Sequence, residues 1–254
     1  MSDMIQKSLI GIFDPSARVY RVLDYNLFRE FVKTGKLILR RPHKWEDPFE
    51  NILLKVKAVL KSNGDPISMR EVVDVFFGQC WSLNEKETDA TWRIYAPNKN
   101  GVRITTTIGK LLVALVPYAN PDLGESFYFG KVTYLEKDEI LSYVNDKKNT
   151  EALICGKDGR EEARTLLLKR KEFEHEGEAR LLFYDCQGKI PRYEYERHFP
   201  VNPNAVIDSV VFDPRMPKHR YEYFKLELSM SGLEAPISHS QLYQPPEATV
   251  EIDM

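Results

Sequence analysis

Apolar and polar positions along the chain switch between a period of two and a period near 3.6, and the switches mark its elements. Arg18-Val-Tyr-Arg-Val-Leu23 is rich in β-branched and aromatic residues and predicts a strand. Asp24 stands where a helix N-cap is needed. Leu27, Phe28, Phe31 and Val32 share one face at helical spacing, Gly35 stops that helix, and Lys36–Arg40 resumes as strand. Trp45-Glu-Asp-Pro-Phe-Glu50 reads as a turn, because Pro48 fixes its own φ and biases Asp47 away from helix.

A helical pattern follows over 51–61. After Asn63-Gly-Asp-Pro66 a second helix is signalled by the capping-box spacing Ser68-Met-Arg-Glu71. The apolar run from Phe76 to Leu83 predicts a buried strand carrying Cys80-Trp-Ser82. A short helix over 86–96 then places Trp92 and Tyr95 on one face. Beyond the turn at 98–101, strands are expected over 102–107, 127–135, 178–184, 206–212 and 236–243, with helices over 108–116, 136–147, 160–173 and 218–231. No repeat, Gly/Ser linker or low-complexity tract divides this order. One mixed α/β or α+β domain over 1–243 is expected, with 244–254 as a loosely attached tail.

Composition narrows the class. The 254 residues are 43% hydrophobic and 29% charged and include 13 Phe, 13 Tyr and 3 Trp, enough apolar surface to offset ordering entropy without disulfides or a structural metal. A formal charge of -2 lacks the basic excess of most nucleic-acid binders, although a local groove is compatible with it. Cys80, Cys155 and Cys186 are odd in number and widely spaced, against a disulfide framework or a zinc knuckle. With neither a signal-peptide pattern at the start nor an apolar run of bilayer length, a soluble protein of a reducing cytoplasm is expected, without a membrane partner. Walker, Gly-x-Gly-x-x-Gly, His-Glu-x-x-His and Gly-x-Ser-x-Gly patterns are all missing, which removes the usual sequence support for the chemistries they carry.

The densest polar stretch is Glu172-Phe-Glu-His-Glu-Gly-Glu178. If 174–184 is extended throughout, Glu174, Glu176, Glu178 and Arg180 point to one face, and Arg180 alone does not neutralise the carboxylates. A charge run of this kind is commonly just the solvated start of a strand. The sharper reading is a Glu-x-Glu pair in which one carboxylate orients a ribose hydroxyl and stabilises positive charge on a sugar ring, while the other positions an acceptor. A second cluster offers His43, Glu46, Asp47 and Glu50 as cation ligands, but an Asx-type turn anchored by Trp45 and Phe49 accounts for it as well. In a third, Cys80-Trp-Ser82 and Thr91–Tyr95 gather hydroxyls and large aromatics. Trp81 and Ile94 read there as core, and Cys80 as a small buried residue with no nearby His to activate it.

Several blocks in a fixed order carry a resemblance: Tyr20-Arg21, Gly35-Lys-Leu, Trp45–Glu50, Cys80-Trp-Ser82, Trp92-x-x-Tyr95-Ala96 with Gly101-Val102, and Glu176-x-Glu178-x-Arg180. Together, over about 18–215, they resemble the bacterial family called domain of unknown function 2971, with Trp81 where that family usually has Phe. The same order is similar, more distantly, to the NAD-dependent ADP-ribosyltransferases, although the serine-threonine-serine strand of one branch is absent. This likeness implies an α+β fold with a split sheet, NAD as substrate and no metal. It implies that Arg21 holds the dinucleotide, that Ser82 or Tyr95 lines the nicotinamide site, that Glu178 is catalytic at the ribose and that Glu176 faces the acceptor. Tyr20, Trp92 and Arg180, from the same blocks, complete the candidate binding set. A macromolecular acceptor, protein or nucleic acid, and a role in bacterial defence are further implications.

Three function classes follow. The first is an enzyme that cleaves NAD and transfers ADP-ribose. The second is a non-enzymatic binding or regulatory module in which these blocks are scaffold. The third is a metal-dependent nuclease built on His43, Glu46, Asp47 and Glu50 with the late glutamates. Acceptor, oligomeric state and any inhibitor chain are not encoded in a readable way.

Overall fold

Strands and helices alternate through the computed structural model, which describes residues 2–247 apart from 13, 43–44, 46–57, 60–63, 68–73, 147, 150–157, 187–189 and 192. In chain order they are α1 (Ser2–Ser8), β1 (Leu9–Ile10), β2 (Arg18–Asp24), α2 (Tyr25–Thr34), β3 (Lys36–Arg40), β4 (Ala58–Val59), β5 (Pro66–Ile67) and β6 (Phe76–Ser82). Then come α3 (Asp89–Tyr95), β7 (Gly101–Thr107), α4 (Ile108–Leu115), β8 (Ser126–Lys131), β9 (Thr133–Leu135), α5 (Lys137–Asn145), α6 (Arg160–Thr165), β10 (Leu168–Arg170) and β11 (Glu178–Tyr184). The last are β12 (Glu196–Pro200), α7 (Pro203–Val206), β13 (Ser209–Phe212), α8 (Lys218–Met230) and β14 (Ile237–His239).

Ten strands form one sheet in the order β1-β8-β11-β6-β2-β7-β13-β14, with β3 and β12 as a branch. Most pairs are antiparallel; β1 with β8 and β13 with β14 are parallel. Helices flank this mixed sheet, so the fold is of the expected α+β class. The sheet forks at β6. Away from β11, β6 pairs with β2 at Tyr20↔Ser82 and with β3 at Arg40↔Gly78, and residues 79–81 between these bridges pair with neither strand. The side chain of Gln79 crosses the opening instead, its Nε2 donating to the Ile38 carbonyl at 3.0 Å.

The connection that spreads the fork is locally encoded. Asp24 caps α2 by accepting the Asn26 N–H at 2.8 Å, and Gly35 ends it in the left-handed region. One position differs from the expected apolar face: Leu27 is exposed, and Tyr25 takes the buried place. The Tyr25 ring stacks on Phe224 at 3.8 Å, and its hydroxyl donates to Glu227 at 2.6 Å, so an aromatic partner from α8 decides which residues face inward.

Strand β11 is buried along its whole length. Ala179, Leu181 and Phe183 face the larger core, where Phe183 packs edge-on to Phe199 and tilted to Phe127 at centroid distances of 5.1 and 4.9 Å. Leu182 and Tyr184 face a smaller core with Phe76, Tyr128, Leu166 and Leu167. The remaining part of that second face, at Glu178 and Arg180, is polar.

Several expectations are corrected. The strand expected over 127–135 breaks at Val132 into β8 and β9, because β8 pairs with β11 whereas β9 turns to pair with β10. The helix expected over 160–173 ends at Thr165. Its apolar run Leu166-Leu-Leu168 fills the smaller core and continues as β10, and Lys171–Glu176 is a 3-10 turn. Residues 174–177 are therefore not extended: Gly177 sits at φ 53°, and a Cβ there would meet Asn84 Oδ1 at 2.4 Å. Residues 203–206 are helical, and the strand expected over 206–212 begins at Ser209. The helix start at Ser68–Glu71, most of 51–61, the turn at 46–50 and the end of the tail lie outside the described residues. Ala58–Val59 within 51–61 is strand.

Glu162 in α6 is buried, and its Oε2 has no hydrogen-bond partner among the described residues. Burial, then Asp158 and Glu161, hold its carboxyl above the ordinary 4.5. A raised folded-state value favours the folded state below the unfolded value, and this contribution is lost as pH rises through the folded one. Glu162→Met is therefore expected to raise the melting temperature at pH 7 and to raise it less at pH 4, as thermal unfolding at the two pH values will show.

Candidate active site

Glu178 and Arg180 lie opposite Ser82 and Cys80 across β11 and β6, and strand alternation sends both to the polar face. Arg180 is fully buried and binds Glu178 with both prongs, Nε to Oε1 at 2.7 Å and Nη2 to Oε2 at 3.0 Å, while its Nη1 donates to the Leu166 carbonyl. Its guanidinium lies 4.2 Å from the centroid of the Trp45 ring. Trp45 fits there because position 78 is glycine: a Cβ would meet the Trp45 ring at 2.9 Å and Leu182 at 3.0 Å.

Lys169, from β10, enters between the two glutamates. Its Nζ donates to Glu178 Oε2 at 3.0 Å and to Glu176 Oε2 at 2.6 Å, and the Cys80 thiol lies close enough to favour the ionised Glu178. Burial by itself would raise the Glu178 carboxyl, but Arg180, Lys169 and Cys80 outweigh it and hold the group down at about 2. The carboxylate is ionised throughout the physiological range.

Arg21 stands on β2 one residue beyond its bridge to β6, and the charges of Cys80 and Arg40 act on it. Among the described residues it has no hydrogen bond and no ion pair, and burial, the largest influence, pulls its guanidinium down to about 10. Tyr95, at the end of α3, is 45% exposed. Burial of its hydroxyl and the nearby charges of Glu176 and Glu178 raise it above the ordinary tyrosine range, with Lys169 opposing.

Lys169, Glu176, Glu178 and Arg180 thus gather on the polar face, near enough to Tyr95 for Glu176, Glu178 and Lys169 to act on its hydroxyl, and Arg21, next to Tyr20 on β2, feels the charge of Cys80. Other sequence candidates have different work. The Ser82 Oγ donates to the Glu176 carbonyl at 2.7 Å and accepts the Asn84 N–H at 3.1 Å, which fixes the turn carrying Glu176. Trp92 is fully buried and donates from Nε1 to Glu87 at 2.9 Å, so it anchors α3 and does not line a cleft. Tyr20 is buried beneath the Arg103 guanidinium, 4.0 Å from its ring centroid. Tyr20 and Arg103 also line a pocket of about 380 Å³ on the same sheet face, with Arg18, Thr105 and Ser209 and the acids Glu85 and Asp208.

Sequence reading missed Lys169 because it assigned that residue to a helix, and it took Cys80 as inert. No local signal places Lys169; only the β9–β10 pairing does. Among the described residues no group of three or more His, Cys, Asp and Glu side chains is arranged to hold a metal, and His43, Glu46, Asp47 and Glu50 lie outside those residues. No helix of the described residues is long and apolar enough to cross a membrane.

Comparison with known proteins agrees with the family resemblance over part of the chain. The family "Protein of unknown function (DUF2971)" matches residues 91–181, which include Tyr95, Lys169, Glu176, Glu178 and Arg180 but neither Arg21 nor Cys80. No curated protein matches the chain. Among solved structures it is similar to Thermus sp. 2.9 DarT in complex with NAD+, at 13% identity over 91% of this chain and 98% of that one, with a TM-score of 0.38. DarT in complex with carba-NAD+ gives 12% identity, 89% and 96% coverage and a TM-score of 0.38. DarT in complex with ADP-ribosylated ssDNA gives 11% identity, 89% and 94% coverage and a TM-score of 0.39.

A depressed folded-state carboxyl contributes stability above its unfolded value and loses it as pH falls through the folded one, here between 4.5 and about 2 for Glu178. Glu178→Gln leaves the Arg180 charge buried without its carboxylate. It is expected to cost ~3–5 kcal/mol at pH 7 and markedly less near pH 2, by urea unfolding across that range.

Proposed function

We propose that the chain cleaves NAD and transfers ADP-ribose to a macromolecular acceptor. The observation that supports this reading is the composition around Cys80, which acts on Arg21, a guanidinium with no carboxylate partner among the described residues, on Glu178, whose carboxyl is held at about 2, and on the half-exposed Tyr95. An unspent, desolvated cation is costly unless an anion comes to it, and a pyrophosphate supplies one. Tyr95 offers a ring face to a flat heterocycle.

The charge state suits the bond to be broken. When the bond between ribose C1′ and nicotinamide N1 cleaves, its electron pair goes to the ring nitrogen, and the pyridinium leaves as neutral nicotinamide. No proton need be donated, so a carboxyl held at about 2 is no handicap. Positive charge develops on the sugar, and fixed carboxylates in a water-poor site stabilise it. An acceptor oxygen or nitrogen then bonds to C1′ and gives up its proton. Acceptor groups have room in the pocket lined by Tyr20 and Arg103.

The test is incubation with NAD labelled in the nicotinamide and, separately, in the adenylate, with single-stranded DNA and with cell protein. Nicotinamide release and label transfer are expected. Arg21→Met is expected to raise the KM for NAD at least about tenfold and, by removing a partly buried charge that has no partner among the described residues, to leave the melting temperature unchanged or higher. A well-folded wild-type protein that releases no nicotinamide would favour the binding-module reading instead.

A further inference from the structure

We infer that Glu176, not Glu178, is the carboxylate that meets the ribose, and that Lys169 is the positioning residue that aims it. This rests on the NAD-cleaving reading and divides the labour within its carboxylate pair.

The argument is a count of lone pairs. A carboxylate has about four acceptor positions. Glu178 receives two donors from Arg180 and one from Lys169, and its side chain is 5% exposed. A ribose hydroxyl finds one position left on it, behind a nearly closed surface. Glu176 is bound through Oε2 alone; among the described residues its Oε1 accepts no hydrogen bond, and its side chain is 14% exposed. Glu176 is also the charge with the greatest influence on the Tyr95 hydroxyl, after burial.

The backbone holds Glu176 in that place. Gly177 turns the chain at φ 53°, its N–H closes on the Glu174 carbonyl at 3.1 Å, and Ser82 grips the Glu176 carbonyl. Glu178 then serves as the fixed counter-charge that keeps Lys169, itself 7% exposed, in line with Glu176. In the cleavage step Glu176 Oε1 accepts a hydrogen bond from a ribose hydroxyl and faces the developing sugar cation, and no proton changes hands.

Steady-state kinetics of nicotinamide release, with thermal melting of each variant, separate the two glutamates. Glu176→Gln is expected to melt like the wild type, to keep its KM for NAD within about threefold, and to lose kcat by about a hundredfold. Lys169→Met is expected to lower kcat more than it changes KM, with Lys169→Arg recovering most of the loss. Since Glu178→Gln alone strands Arg180, the comparison uses Glu178→Gln with Arg180→Gln. That pair is expected to melt lower yet, below its melting point, to lose kcat by no more than about tenfold. If Glu176→Gln keeps kcat within about threefold while the wild type releases nicotinamide, the assignment is overturned and the NAD-cleaving reading stands. The assignment also falls if the folded double variant loses as much kcat as Glu176→Gln. Absence of release by the wild type removes both.

Discussion

A strand has two edges, and β6 has to serve three neighbours. One edge is fully used by β11. The other is divided between β2 at Ser82 and β3 at Gly78, and the two strands part over residues 79–81. Backbone groups left without a ladder need other partners. The Gln79 amide supplies one such link across the gap, although its Oε1 and the Trp81 Nε1 remain buried without partners. The large core beneath, with Phe183, Phe127 and Phe199 in mutual contact, offsets that cost. The fork places part of the candidate site: Arg21 where β2 departs, Cys80 in the unpaired stretch, and Glu178 with Arg180 on the strand that still pairs.

Electrostatics follow from this placement. Arg180 and Lys169 stand around Glu178, Lys169 also reaches Glu176, and the charges of both cations are spent on those carboxylates. A buried ionic network is weak evidence for stability, since desolvation cancels much of the attraction, but it holds its members in fixed positions. Arg21 is outside the network. Its charge is partly desolvated with no compensating carboxylate among the described residues, an arrangement that costs stability in the free protein.

Much of this was legible in the chain itself. The strand, helix, strand order of 18–40, the buried run at 76–82 and the strand at 178–184 need only local patterning, and the structure has them. Elements went astray where long-range pairing competes with local propensity. The stretch 160–173 has helical spacing throughout, yet its leucines serve the small core and its Lys169 serves the glutamates, so helix gives way to strand and a 3-10 turn. Leu27 and Tyr25 exchanged places for a similar reason: the α8 aromatics select Tyr25, and no periodicity within α2 contains that information.

The sequence by itself determined the class of the fold, the strands that carry Arg21, Cys80 and Glu178, and the clustering of acids ahead of β11, because these depend on spacing and on residue type. Tertiary structure decided which of them meet and in what charge state. Glu176 and Glu178 were expected to line one face of a single strand, where like charges would repel. Instead Gly177 turns the chain between them, and Lys169, brought by the β9–β10 pairing, binds both. The number of donors reaching each carboxylate is a property of packing, and it is what distinguishes two glutamates that are equivalent in the sequence.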